Sequence, residues 1–272
     1  MSSQQPIEGG TRRIALLLEY DGSRYGGSQL QENAPTIQGE LEGAINKLTG
    51  EKVRAAFAGR TDAGCHARGQ VASLLTRRPH DVEVFVKGLN HWLPDDIAVR
   101  QAVEVPLDFD VRRRARRRLY RYLVDNGPAR SPLLRQRSWR VAEPLDLGAM
   151  TMAAACLVGR HGFAAFAGSL GDARASTVRT VYRLDVRRSG RLVVFDMEAD
   201  AFLPHQVRRT VGALVQVGRG KQTPEQIESM LRRPQPGTAG PAAPPQGLCL
   251  MWVTYPDLDL NEETDIDENI HC

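Results

Sequence analysis

The order of apolar segments constrains this chain more than any single motif does. Arg12 to Glu19 carries an unbroken apolar centre, Ile14 to Leu18, closed by Asp21-Gly22. A continuous run of this length, without alternation, predicts a central strand. Thr36, behind Pro35, is placed to cap a helix in which Ile37, Leu41, Ala44, Ile45 and Leu48 share one face, and Gly50 stops it. Lys52 to Phe57 and Gln70 to Thr76 read as two strands. A second helix starts at Asp81, with Val82, Phe85, Val86 and Leu89 at helical spacing, and closes at Pro94. Ile97 to Val105 is a further strand. The order is βαββαβ, the split βαβ or ferredoxin-like arrangement.

The rest of the chain repeats that order without a residue-level repeat. Leu119 to Asp125 reads as a strand and Asp146 to Val158 as a helix. Val178 to Arg187 and Arg191 to Glu198 form a hairpin joined at Ser189-Gly190. A helix over His205 to Val217, another from Thr223-Pro224, and a strand from Leu248 to Tyr255 complete it. The expected fold class is α+β: two ferredoxin-like halves, residues 12–113 and 114–256, with joined, mainly antiparallel sheets and a central groove lined by loops from both. Residues 1–11 are expected to be a flexible N-terminus and 257–272 a disordered acidic tail. Pro234 to Gly247 has the composition of an irregular connection.

Between the strands at 52–57 and 70–76 lies Ala58-Gly59-Arg60-Thr61-Asp62-Ala63-Gly64-Cys65-His66-Ala67-Arg68-Gly69. It sets one carboxylate, Asp62, among glycines and cationic side chains on a connection, where a residue is free of core packing and open to ligands. Thr61-Asp62-Ala63-Gly64 taken alone also fits an ordinary turn.

The net charge of +4 and pI near 9.0 understate how basic the body of the chain is, because Asp257, Asp259, Glu262, Glu263, Asp265, Asp267 and Glu268 crowd its last segment. Arg112, Arg113, Arg114, Arg116, Arg117, Arg118 and Arg121 form a dense run. Guanidinium groups pair bidentately with phosphate, so a nucleic acid is the natural partner, with a merely solvated cationic face as the alternative. Cys65, Cys156, Cys249 and Cys272 are too widely spaced for a zinc site or a disulfide scaffold, and Cys156 and Cys249 are expected to be buried small apolar groups. Met1 to Gly10 lacks an apolar signal core, and no run approaches the ~18–20 apolar residues of a membrane span. A cytoplasmic location is expected.

Ordered blocks extend from about Arg12 to Pro256: Glu19-Tyr20-Asp21-Gly22, the Asp62 loop, Leu89-Asn90 with Leu93-Pro94 and Asp96-Ile97, and Phe109-Asp110-Val111-Arg112. Tyr120-Arg121-Tyr122, Phe163 and Phe166, Thr177-Val178-Arg179, Phe202 through Arg208, and Ala243-Pro244-Pro245 before Gly247-Leu248 follow. In these blocks and their order the chain resembles the tRNA pseudouridine synthase A family. The resemblance implies isomerisation of uridine to pseudouridine in the tRNA anticodon stem-loop, at positions 38–40. The N1–C1′ bond breaks, the uracil turns, and C5 bonds to C1′, which requires the nucleotide to leave its stack. It further implies a homodimer, no metal and no small-molecule cofactor.

By the same resemblance Asp62 acts at the ribose, either as nucleophile at C1′ or by taking a sugar proton. Tyr120 stacks on the base and helps remove the C5 proton, while Tyr122 is expected to face the opposite way and pack. Arg208 partners Asp62. Arg60 contacts phosphate or fills the vacated stack, Leu248 walls the uracil pocket, and His66 and His205 are further RNA-contact candidates. Arg114, Arg116 and Arg118 are expected phosphate contacts. The chain departs from the family at Ser28, where Gly-Trp-Gln is common, at Cys65, where valine is common, and at Leu203-Pro204. A catalytically silent RNA-binding or RNA-chaperone paralogue is the alternative, against which the intact Asp62, Tyr120 and Arg208 set argues. A base-releasing glycosidase would also use a carboxylate, but nothing suggests a second one.

Overall fold

The computed structural model describes residues 10–169, 176–258 and 260. In chain order it holds β1 (Arg12–Tyr20), α1 (Ile37–Thr49), β2 (Ala56–Phe57), β3 (His66–Thr76), α2 (Val82–Trp92) and β4 (Ile97–Val105). There follow β5 (Arg117–Asp125), β6 (Trp139–Arg140), α3 (Leu147–Cys156), β7 (Gly159–Gly162), β8 (Val178–Ser189), β9 (Leu192–Ala199), α4 (Gln206–Gly218), α5 (Pro224–Arg232) and β10 (Leu248–Thr254). Most of the residues expected to form the flexible N-terminus and the acidic tail lie outside the described residues. Among the described residues no helix is long and apolar enough to cross a membrane.

Local chemistry accounts for the element boundaries. The Thr36 side chain accepts the Gly39 N–H to open α1, and Gly50, with φ 75°, closes it. Thr223 and Gln226 form a capping box on α5. β2 is shorter than expected, although Val53, Ala55 and Phe57 do turn inward while Lys52, Arg54 and Ala56 are exposed. β3 starts at His66, ahead of the expected Gln70. The β8–β9 hairpin closes through Gly190-Arg191, one residue beyond the expected join, with Ser189 opposite Leu192.

The strands form one mainly antiparallel sheet in the order β4-β1-β3-β10-β5-β9-β8-β7, with β2 also on β3 and β6 on β5. β1 is central to its neighbourhood, antiparallel to both β3 and β4, and residues 14–18 are all buried. β10 is the seam. Cys249 and Leu250 pair in parallel with His66 and Ala67, and the other edge of β10 runs antiparallel to β5.

Along β5, side chains alternate between two faces. Tyr120, Tyr122 and Val124 join the main core with Val207 and Val211 of α4. Leu119 packs instead with Cys249 and Met251, and Leu123 with Leu192 and Val194. The expectation that Tyr122 faces away from Tyr120 is therefore corrected: two residues along a strand return to the same face. Tyr122 is nonetheless a packing residue, its hydroxyl donating to the Pro244 carbonyl at 2.7 Å. On the opposite face Arg121 and its cross-strand partner Asp196 form a buried two-point pair at 2.7 and 2.9 Å. Of the expected buried thiols, Cys249 is buried, whereas Cys156 is only half-buried because it sits at the end of α3.

His66 clasps three segments beside the seam. Its Nδ1 accepts the Gly22 N–H at 3.2 Å, and its Nε2 lies 2.8 Å from the Gln136 carbonyl and 3.2 Å from that of Gln246. Two carbonyls can only accept, so Nε2 carries the proton and the ring is neutral. The 3.2 Å contact between Nδ1 and Asp21 is then not an ion pair. Burial drives the His66 pKa below its ordinary 6.5, against the opposing pull of Asp21. The unfolded chain thus binds this proton more readily than the folded protein does, and the stability His66 contributes is complete above about pH 6.5 and falls as pH drops. Chemical denaturation of wild type and His66→Gln between pH 8 and 5 should show their stability difference shrinking toward acid, by at most about 1.4 kcal/mol per pH unit. A pH-independent difference would show that His66 is not held neutral.

Candidate active site

Residues 58–65 cross from β2 to β3 beside the seam, and most of their polar groups are tied down. The Ala58 N–H donates to the Val71 carbonyl at 2.9 Å, and Gln70 Nε2 donates to that of Gly59 at 2.8 Å. Thr61 is held on three sides. Its N–H donates to Ser28 Oγ at 2.9 Å, its carbonyl accepts the Ser28 N–H at 3.0 Å, and its hydroxyl lies 2.8 Å from that of Tyr20. Beyond it the Asp62 carbonyl accepts the Cys65 N–H at 3.1 Å across Gly64, whose φ is 77°. A turn does form here, but it closes over Asp62–Cys65, one residue beyond the expected Thr61–Gly64, within a larger fixed loop.

The Asp62 carboxylate is half-buried, and its Oδ2 accepts a hydrogen bond from Arg208 Nη1 at 2.7 Å. Arg208 projects from the first turn of α4. Its Nε donates to the Ala243 carbonyl at 2.7 Å, and the Ala243 N–H returns to the Arg208 carbonyl at 2.9 Å. The segment leading into β10 thereby fixes the guanidinium that meets the loop. His205 Nε2 lies 3.5 Å from the same Asp62 oxygen. His205 precedes α4 with φ 59°, the one non-glycine in the left-handed region among the described residues. Such a conformation persists only where its surroundings enforce it.

These groups border a cleft of about 440 Å³, lined by Arg60, Asp62, His205, Arg208, Gln29 and Pro245 among others. Asp62 Oδ1 accepts no hydrogen bond within the described residues. A carboxylate with one oxygen fixed and the other unengaged can attack an electrophilic carbon or take a proton.

The other candidates separate by position. Tyr120 is buried, edge-on to Phe202 with ring centres 5.1 Å apart, and does not line the cleft opening. Burial drives its phenol well above the ordinary value, with a smaller push from the Asp62 charge and an opposing one from Arg118. Leu248 is buried at the start of β10 opposite Tyr122. Cys65 is buried too, and that burial, with the nearby Asp62, pushes its thiol up to about 12.

His66 is engaged in the clasp, away from the cleft lining. Arg118 is buried, donating to the carbonyls of Ala58 at 3.0 Å, Arg112 at 2.9 Å and Asp200 at 2.7 Å. Its place is inside the fold, at variance with the expected phosphate contact. Arg116 is exposed, and Arg114 is half-exposed beside Asp108 at 2.6 Å. Sequence reasoning missed Ser28 and Gln70 as supports of the loop, and treated Ser28 only as a lost aromatic.

A sequence profile described as tRNA pseudouridine synthase matches residues 17–112 and 153–256. The chain is 46% identical over 244 residues to a tRNA pseudouridine synthase A of Pelobacter propionicus, covering 90% of this chain and 100% of the relative. It is 48% identical over 247 residues to one from Myxococcus xanthus, covering 90% and 92%, and 46% identical over 244 residues to one from Geobacter sulfurreducens, covering 90% and 100%. With the profile spanning the Asp62 loop, α4 and β10, and relatives of this depth over nine-tenths of the chain, the chain belongs to the tRNA pseudouridine synthase family.

Proposed function

We propose that this protein isomerises uridine to pseudouridine in tRNA, with Asp62 acting on the ribose of an extruded nucleotide. The observation that carries the reading is the Asp62 carboxylate itself, bound through one oxygen to Arg208 and, among the described residues, unengaged at the other, on the wall of a cleft within the size range of small-ligand sites. Relatives named tRNA pseudouridine synthase A support tRNA as the substrate. Removing the uridine from its stack gives Asp62 access to C1′, as nucleophile or as base toward a sugar proton. Arg208 orients the carboxylate, and the His205 ring stands 3.5 Å from the same oxygen. Tyr120 stacks on the turning uracil. Its raised phenol is a proton donor in the free protein, so removal of the C5 proton by Tyr120 requires the bound substrate to lower it. Leu248 backs the base, and Arg60 at the rim meets phosphate or the vacated stack.

The finer assignments belong to the same proposal: action at positions 38–40 of the anticodon stem-loop, a homodimer that shares the RNA surface, no cofactor, and work in the cytoplasm. The fold is read as two ferredoxin-like halves, residues 12–113 and 114–256. What supports this is that β4-β1-β3 with β2, and β10-β5-β9-β8, repeat the same order of strand neighbours.

Asp62→Asn keeps the side-chain size and removes the carboxylate. The purified, folded variant should form no pseudouridine on unmodified tRNA by site-resolved mapping while retaining tRNA affinity; near-normal product would defeat the assignment. Arg208→Ala should slow single-turnover formation at saturating enzyme by roughly 10- to 100-fold, through lost orientation of the carboxylate. If excess enzyme restores the wild-type rate, Arg208 is an affinity residue. Arg114→Ala with Arg116→Ala should lower the slope of log affinity against log salt, by up to about 0.7–0.9 for each lost phosphate contact. Arg118→Ala should instead reduce thermal stability, since it removes a buried side chain that holds the carbonyls of Ala58, Arg112 and Asp200. An unchanged slope in the double variant would make those arginines a solvated surface.

A further inference from the structure

We propose that Ser28 is a positioning residue for the reaction, fixing the backbone immediately before Asp62 through its side-chain oxygen. The proposal rests on the reading that Asp62 performs the chemistry. Ser28 is 1% exposed and Thr61 6% exposed, so the bond from the Thr61 N–H to Ser28 Oγ lies out of reach of bulk water. The Ser28 N–H closes a second bond to the Thr61 carbonyl, so one residue grips both backbone groups of the residue before Asp62. The preceding Gly27 presses the same loop from the side. Its φ is 114°, and a β-carbon there would stand 2.9 Å from the Thr61 carbonyl oxygen and 3.3 Å from the Ala63 nitrogen.

The grip is itself anchored. The Ile37 N–H donates to the Gly27 carbonyl at 3.3 Å and the Gln38 N–H to the Ser28 carbonyl at 3.0 Å, so residues 27–28 hang from the first turn of α1. A helix of the core thus sets the place of the carboxylate through two intermediaries, Ser28 and Thr61. The Tyr20 hydroxyl restrains the Thr61 side chain and not its amide. Losing the serine oxygen therefore leaves the loop attached but leaves one buried amide without an acceptor, which the backbone relieves by shifting. The Ser28 hydroxyl thus serves a structural use that the reaction depends on.

The test compares Ser28→Ala, Ser28→Thr and Ser28→Cys with wild type and Asp62→Asn in the full chain, by tRNA affinity and by single-turnover pseudouridine formation at saturating enzyme. Ser28→Ala should bind tRNA within about twofold of wild type and react about 10-fold more slowly, an effect of misplacement and not of binding. Ser28→Thr, which keeps the acceptor, should recover most of that rate. Ser28→Cys, with a weaker acceptor, should fall between, and it takes the place of Ser28→Ala if the alanine variant is unfolded at the assay temperature. A wild-type saturated rate in Ser28→Ala, a loss confined to affinity, or a folded threonine variant as slow as alanine would overturn the proposal. Asp62→Asn separates the two claims. If it is inactive while Ser28→Ala runs at full rate, only the role of Ser28 falls, whereas an active Asp62→Asn removes the reading beneath it.

Discussion

Because β10 pairs in parallel with β3 through Cys249 with His66 and Leu250 with Ala67, the end of the Asp62 loop and the turn before β10 arrive side by side. That short register makes the site possible. Asp62 comes from the N-terminal edge of the seam, and the Ala243 groups that fix Arg208 come from the segment entering β10. The clasp of His66 on the Gln246 and Gln136 carbonyls and the Gly22 amide closes the same corner. Sheet pairing supplies distance, and side-chain hydrogen bonds supply orientation.

The arginines divide by what surrounds them. Arg121 meets Asp196 in a buried two-point pair, and Arg118 is surrounded by carbonyls, its burial pulling the guanidinium below its ordinary value. Guanidinium groups tolerate such settings because a planar fork satisfies several acceptors at once and its charge is hard to remove. Arg112, Arg113, Arg116 and Arg117 of the same run remain exposed. A charge count over the segment therefore overstates the cation available to a polyanion.

Local signals in the sequence carried the helices well, since Thr36, Asp81, Asp146 and Thr223 each stand at the N-cap of a helix, and Gly50 ends α1. Asp62 and Arg208 could be paired only through resemblance to a family, because the two are 146 residues apart and no local pattern links them. The carbonyls that hold Arg118 lie as far as 82 residues away, and the grip of Ser28 on Thr61 spans 33. Short-range chemistry writes caps and turns into the chain. Whether an arginine meets solvent or a carbonyl is decided by which segments the sheet brings together, and that appears only in the assembled fold.

The seam also fixes an order of events during synthesis. A nascent chain can bury β1 between β3 and β4 once residue 105 has emerged, but the free edge of β3 waits for residues 248–254. Domains generally fold as their segments leave the ribosome, and contacts between distant segments form late. The loop itself can be held early by Ser28 and Gln70, but the Ala243 hold on Arg208 and the His66 clasp on Gln246 wait for the segment entering β10, so a chain interrupted upstream of it presents basic side chains without a finished reaction centre. Competence for chemistry waits in this way on residues 248–254.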